Sequence, residues 1–494
     1  MLAQLTRPRV LPVTLAVIVG ALWRLWLMGR YAGWEESDYG NLAMIQGVLD
    51  GGFVHYDMNH MPGYYAVSAV VHAVVHDAVI AGRTVSFVGG VTALGLATAL
   101  ATRLGGVRAG WVAGLLLVIQ PEFALYASSS LREPLAAAFF LGCLTALGRE
   151  RLLTAGLCAA GAFFVRFDAA LVLVPVLALH ASGVGIIRVR LARALLPLLV
   201  AIAIWSLYCR LDHGTWAFWS HSVAVNMETG LGGEAEVPGQ WWVNGAEVAM
   251  GLLAWLLPWR IGWFFWAGLL MGVLTALRAP HGELRITSVM AVLLTGLWVG
   301  IGFVGQHDPS HNLYWKWLSP IVPVIIPVAV MGAWRLVDRL GRVAGGGAAM
   351  VLMACGVAQA AASNIQETER QRERSEAWYR PQLELARWVE SEIPEDVVMV
   401  LDNIPACWIR RRPTERKMVS WFDVPVDPNR PDAFAEWVRA EGVEWILWFR
   451  EDWTQAPVIA PFLARGGTWE ADGVRLMEHD REDGYGWILY AVER

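Results

Sequence analysis

The chain has 494 residues, is 56% hydrophobic and only 17% charged, and carries a formal net charge of −5. Soluble domains hold nearer a quarter charged residues, and a soluble core cannot hide this much apolar sequence. A polytopic membrane protein is therefore expected, and the acidic balance argues against a nucleic-acid partner.

Arg7 and Arg9 precede the first apolar run, but no small-residue cleavage site follows and Arg24 interrupts it, so an uncleaved first membrane helix is expected. Further apolar runs follow, giving spans at roughly 10–28, 81–103, 109–127, 132–148, 152–165, 167–180, 193–209, 260–277, 286–304, 315–336 and 344–363, about eleven in all. The pair 152–165 and 167–180 also reads as one broken crossing, and 245–277 has room for an extra one. The 27 Trp residues fit aromatic belts at both interfaces. Cys143, Cys158, Cys209 and Cys355 fall in apolar runs and Cys407 stands alone. No pair has metal-ligand spacing, so neither a disulfide framework nor a structural zinc is expected.

The segment "YAGWEESDYGNLAMIQ" at 31–46 crowds Glu35, Glu36 and Asp38 beside the first span. Leu42, Ile45 and Leu49 recur with helical spacing, so a helix starts near Ser37. Acids are favoured at such an N-terminus by the helix dipole, or are merely solvated in an outer loop. In "VHYDMNHMPGYY" at 54–65, His55, Asp57 and His60 form half of a metal set or are ordinary loop polar groups. Tyr64 and Tyr65 are expected at headgroup depth. The run 62–78 is short for an approximately 30 Å hydrocarbon core and carries His72, His76 and Asp77, so it is read as an interfacial helix in a first outer loop, 29–80.

Arg83 opens the next span. At 126–140, "YASSSLREPLAAAFF" places Arg132 and Glu133 before Pro134, which suits a first helical position. Glu133 is a helix-start acid on that reading. A carboxylate near a membrane boundary is nonetheless costly unless it is used. In "GQHDPSHNLYWKWLSP" at 305–320, His307, Asp308 and His311 precede Lys316, one of only two lysines in the chain, the other being Lys417. Lys316 either snorkels to the interface or counters a phosphate there.

Arginine placement sets the orientation. With the N-terminus cytoplasmic, the turns at 103–108, 149–151, 188–193, 278–285 and 335–342 are all inside and all basic. Glu35, Glu36, Glu133 and Lys316 then share the extracytoplasmic side. From 364 the composition turns charged and amphipathic. Strands are expected at 397–402 and 443–449, with a helix at 431–442 closing on Gly442, so 364–494 is read as a small extracytoplasmic α/β domain after a membrane domain at 1–363. No phosphate loop, nucleotide fingerprint or internal repeat is present.

Together these segments resemble the GT-C glycosyltransferases. "EESDYGNLA" is similar to their Asp-Glu-Ala-x-Tyr-x-x-x-Ala acidic loop, as found in the protein O-mannosyltransferases and the lipid A aminoarabinose transferases. "HMPGYY" resembles a Pro-Pro-Leu-Tyr-Tyr-like element, "AGRTVSFVGGVTAL" an Arg-led span, "SSSLREPLAAAFF" a second acidic loop and "YWKWLSPIVPVIIP" a late Pro-rich span, over most of 10–340. The sequence departs at Glu35 for the leading Asp, at Met61-Pro62 for the Pro pair, and at Tyr314-Trp315-Lys316 for Arg-Tyr.

The resemblance implies a polyprenyl-phosphate-linked sugar donor in the membrane lipid and a protein, lipid or glycan acceptor, in an integral plasma or inner membrane protein. It implies a carboxylate base at Glu35, or secondarily Glu36, with Asp38 turned to solvent. Glu133 would orient the acceptor or bind a metal. Lys316 and Arg83 would hold the phosphate, with His60, His311 and Tyr64 as further contacts. No particular cofactor is implied, and a divalent cation at His55, Asp57, His307 or Asp308 is left open. A lipid or sugar transporter and a non-catalytic envelope scaffold are the competing readings.

Overall fold

The computed structural model describes residues 9–30, 41–48 apart from 43 and 46, 61–181, 187–216 apart from 213, 240–278, 282–305, 312–344, 346–401, 406–449 in part, 463, 466–482 and 487–493. The helices are α1 (Leu11–Arg30), α2 (Pro62–Val75), α3 (Ala78–Ile119), α4 (Pro121–Tyr126), α5 (Glu133–Leu147), α6 (Leu152–Val165), α7 (Ala169–Ala181) and α8 (Ile187–Asp212). There follow α9 (Gln240–Gly251), a π-helical turn, α10 (Leu257–Ile261), α11 (Trp263–Arg278), α12 (Glu283–Gly305), α13 (Asn312–Ala344) and α14 (Gly346–Glu392).

The expected count of about eleven crossings is not reproduced. Among the described residues, six helices are long and apolar enough to cross a membrane, or seven if the bent pair around Gly262 is one span. Part of the difference lies in α5, α6 and α7, of 15, 14 and 13 residues. At about 1.5 Å per residue these reach only roughly 20–22 Å. The runs at 81–103 and 109–127 fall on two helical arms of α3 that meet at Gly106, whose φ of 82° and ψ of −179° turn the chain back so that Gly110 and Gly114 pack on Thr102 and Thr98. The α10–α11 pair bends by 111°.

α13 is the core of the bundle: it is buried over most of its apolar length, and it packs on α3, α4, α5, α11, α12 and α14. α2 is one-sided. Tyr64, Tyr65, Ser68 and His72 are buried against the bundle, whereas Val70 and Val74 are exposed. Pro62 starts it and left-handed His76 ends it, and the Asp77 carboxylate then caps α3 by accepting from the Ile80 amide at 3.0 Å. Tyr64 and Tyr65 were expected at headgroup depth. The structure buries both completely against the bundle, where their hydroxyls find partners.

α14 is continuous across 363/364, so the change there is one of composition and not of backbone. On its polar half Arg372 hydrogen-bonds Glu369, which holds that carboxyl below its usual range. A six-stranded sheet follows, with β1 (Val398–Leu401), β2 (Lys417–Ser420), β3 (Val443–Phe449), β4 (Thr468–Ala471), β5 (Val474–Glu482) and β6 (Trp487–Glu493). The strand order is β2-β1-β3-β6-β5-β4. β1, β2 and β3 pair in parallel, and the rest are antiparallel. The helix α15 (Pro431–Glu441) closes on Gly442, at φ 72°, and buries Phe434, Trp437 and Val438 on the sheet. β1, β3 and α15 fall where the hydrophobic pattern puts them.

Candidate active site

Residues 127–131 form a buried connection between α4 and α5, so each of their polar groups needs an internal partner. The serines supply several. Ser128 Oγ donates to the Ala124 carbonyl at 2.9 Å and Ser129 Oγ to that of Leu125 at 3.0 Å. The connection can lie this close to α3 because α3 offers glycine there. A Cβ on Gly82 would stand 2.8 Å from Ser130 Cβ, and one on Gly89 2.8 Å from the Leu135 Cα. Ser86 Oγ donates to the Leu131 carbonyl at 2.6 Å. The Tyr64 hydroxyl donates to the Gly82 carbonyl at 3.0 Å, pinning α2 to the same stretch.

This packing delivers Glu133 to the first turn of α5, 3% exposed. Arg166, in the short break between α6 and α7, donates from Nη1 to Glu133 Oε1 at 2.6 Å. Its other edge donates to Asp168, from Nε to Oδ1 at 3.3 Å and from Nη2 to Oδ2 at 3.1 Å. Arg132 Nε lies 3.7 Å from Glu133 Oε1. Two acids and two arginines thus balance locally, as buried charges require. Glu133 Oε2 is buried and has no hydrogen-bond partner.

The helix that follows Glu35 in sequence reaches this cluster. Residues 41, 42, 44, 45, 47 and 48 are helical. Asn41 Nδ2 donates to the Ser130 carbonyl at 2.8 Å, and its Oδ1 accepts from the Tyr65 hydroxyl at 2.7 Å. Tyr65 is also near enough to interact electrostatically with Arg166. Arg83 is half-buried on α3, one residue after Gly82. Lys316 is half-buried near the start of α13, whose Met331 packs by Gly105 at the other end of the bundle. Fifteen residues separate Lys316 from Met331, about 22 Å of helix, so Lys316 belongs to the Glu133 end. Glu35, Glu36, Asp38, His60, His311 and the metal candidates His55, Asp57, His307 and Asp308 lie outside the described residues.

Arg166, Asp168, Asn41 and Tyr65 were not singled out from the sequence as site residues. The available signal was "FVRFDAA", an Arg and an Asp set in a break between two short apolar runs. A second buried cluster was also missed. Arg260 Nε lies 2.8 Å from Glu122 Oε1, and its Nη2 lies 3.3 Å from Glu367 Oε2, tying α10, α4 and α14 together. The C-terminal domain reaches the same end: the Ala78 amide donates to the Arg411 carbonyl at 2.8 Å, and Arg411 Nη1 to Glu390 Oε1 at 2.8 Å.

Among the described residues no three His, Cys, Asp or Glu side chains converge as a metal set. Glu133 has one oxygen already on Arg166, whose charge repels a second cation. The described donors therefore do not fit a divalent ion.

A helical bundle with the first-loop helices folded onto a buried acid, followed by a small mixed sheet, is a fold this chain shares with solved structures. ArnT from Cupriavidus metallidurans in the apo state has it at a TM-score of 0.61 and 16% identity, over 98% of this chain and 97% of that one. ArnT from the same organism bound to undecaprenyl phosphate aligns at 0.63, with the same identity and coverage. The Archaeoglobus fulgidus oligosaccharyltransferase complex with Zn and sulfate aligns at 0.43 and 14% identity, over 92% of this chain and 71% of that one, and adds nothing to the assignment. No family model and no curated protein matches the sequence.

Proposed function

We propose that this chain is a membrane glycosyltransferase that moves a sugar from a polyprenyl-phosphate-linked donor to a hydroxyl or amine of a protein, lipid or glycan. The observation that carries the reading is the fold shared end to end with ArnT, one structure of which holds undecaprenyl phosphate. The unpartnered Glu133 oxygen at the end of the bundle where the first loop folds back adds chemical support. That end is the extracytoplasmic face, because the arginine-rich turns lie at the other, which leaves the N-terminus cytoplasmic and the C-terminal domain outside.

The acceptor oxygen or nitrogen attacks the anomeric carbon as the bond from that carbon to the phosphate oxygen breaks. The bond's electron pair leaves on the phosphate. A single displacement inverts the anomeric centre. The acceptor proton passes to a carboxylate base, assigned to Glu35 with Glu36 as the second choice. Glu133 has one oxygen occupied by Arg166, so it suits orienting the acceptor through Oε2 better than taking its proton. Lys316 and Arg83 supply positive charge where negative charge builds on the leaving phosphate, with His60 and His311 as further contacts. Tyr64 acts by holding α2 against α3.

The test uses purified protein in lipid nanodiscs with labelled polyprenyl-phosphate sugar. The unaltered chain is expected to transfer the label, and Glu35→Gln and Glu133→Gln each to lose at least about 100-fold in kcat with elution unchanged. In proteoliposomes, movement of labelled lipid between leaflets without sugar transfer establishes the transporter reading in its place.

A further inference from the structure

We propose that Arg166 and Asp168 are positioning residues for Glu133, a clamp that fixes its carboxylate and leaves Oε2 as the one oxygen presented to substrate. The inference rests on the glycosyltransferase reading above and adds to it a part of the machinery supplied by the break between α6 and α7. Three observations carry it. Arg166 is spread between the two acids, with Nη1 on Glu133 Oε1 at 2.6 Å and its opposite edge, Nε and Nη2, on Asp168 at 3.3 and 3.1 Å. A planar guanidinium held along one edge cannot rotate, so Asp168 sets the direction from which Glu133 is gripped. The Glu133 and Arg166 side chains are only 4% and 7% exposed and that of Asp168 12%, so water competes little for these bonds. Finally, Glu133 Oε2 is buried without a hydrogen-bond partner, although the same carboxylate has its other oxygen in a short charge-assisted bond. A buried carboxylate oxygen without a hydrogen bond is costly, and a substrate hydroxyl or amine that donates to it removes that cost.

The break itself follows from sequence. α6 ends at Val165, and Arg166 takes extended backbone, φ −149° and ψ 114°, before α7 begins at Ala169. That turn points a long side chain back across the top of α6 towards the start of α5, and puts Asp168 two residues on, beside the same guanidinium. Lysine cannot reproduce this grip: an ammonium is a point charge without a second edge.

The experiment is a mutant cycle on sugar transfer by the full chain in nanodiscs. Arg166→Lys and Asp168→Asn keep size and polarity. Each is expected to lower kcat by roughly 100-fold with KM for the donor unchanged, as a misplacement of about 1 Å in a catalytic group does. In a Glu133→Gln background the same substitutions are expected to cost less than about twofold further, because nothing remains for the clamp to position. A general structural role would lower activity in both backgrounds alike, and that result overturns the proposal. Wild-type kcat in Arg166→Lys overturns it as well. Failure of the unaltered chain to transfer sugar overturns the functional reading instead, so the two failures are distinct.

Discussion

At the end of the bundle that carries Glu133, the ion pairs are buried: Arg166 between Glu133 and Asp168, and Arg260 between Glu122 and Glu367, the latter pair of contacts made by side chains no more than 7% exposed. At the opposite end the same residue types meet in the open. Arg103 and Glu283 are 33% and 23% exposed, and Arg190 and Glu150 are 26% and 61% exposed. Depth changes what such a pair does. At a surface, Coulomb attraction is screened and nearly offset by side-chain ordering. Inside, each charge has lost its water, so removing one partner strands the other. The Glu133 end is thus built of groups that tolerate no loss, and the other end of groups that do.

The largest expected effect tests that contrast on a cluster outside the proposed chemistry. Arg260→Leu leaves Glu122 and Glu367 buried without their shared cation, at a cost of about 3–5 kcal/mol, read as a drop in the thermal midpoint of the detergent-solubilised protein. Adding Glu122→Leu and Glu367→Leu removes the stranded charges and is expected to recover most of the loss. A cost for the single variant below about 1 kcal/mol would mean that depth is not what separates the two ends.

A smaller effect is expected where the buried end is neutral. Tyr65→Phe deletes the donor to Asn41 Oδ1, while Asn41 Nδ2 keeps the Ser130 carbonyl. One buried acceptor is left unsatisfied, at about 1–3 kcal/mol. Hydrogen exchange should speed up in residues 41–48, and an unchanged rate there would show that this link does not hold the first-loop helix.

Several features were readable in advance for physical reasons. Pro62 and Pro134 mark helix starts and Gly442 a helix end because their backbone limits act locally. The apolar runs betray the membrane bundle, and Glu133 was visible as an acid at a membrane boundary. Other features depend on distant partners. Glu133 and Arg166 are 33 residues apart, and Glu122, Arg260 and Glu367 are separated by more than 100 at each step, so no window of sequence contains either cluster. Arg166 fell in the one-residue gap between the runs 152–165 and 167–180 and Asp168 inside the second run, so neither stood out as a site residue. The count of about eleven crossings is not confirmed, because hydropathy reports apolar character and not length, and α5 to α7 are apolar but short. β5 was missed since "VRLMEHDRE" carries charge along much of its length, and what defines it is pairing with β4 and β6.

The smallest expected effect lies at the far end. Arg103 grips Glu283 well, with Nε at 2.9 and 3.2 Å from its two oxygens and Nη2 at 2.7 Å, and the carboxylate rests on Gly148. Good geometry places the pair at the upper part of the surface range, yet both side chains remain in reach of solvent. Arg103→Gln is therefore expected to cost about 0.5–1 kcal/mol and to leave kcat unchanged. In roughly 1 M salt, where the Debye length falls to about 3 Å, the difference in thermal midpoint should shrink towards zero. The corresponding loss in Arg260→Leu should persist in the same buffer, because ions do not reach a buried cluster. Equal salt sensitivity in the two variants would show that water and ions enter the Glu133 end as freely as the other, and that the free Glu133 oxygen is solvated before any acceptor arrives.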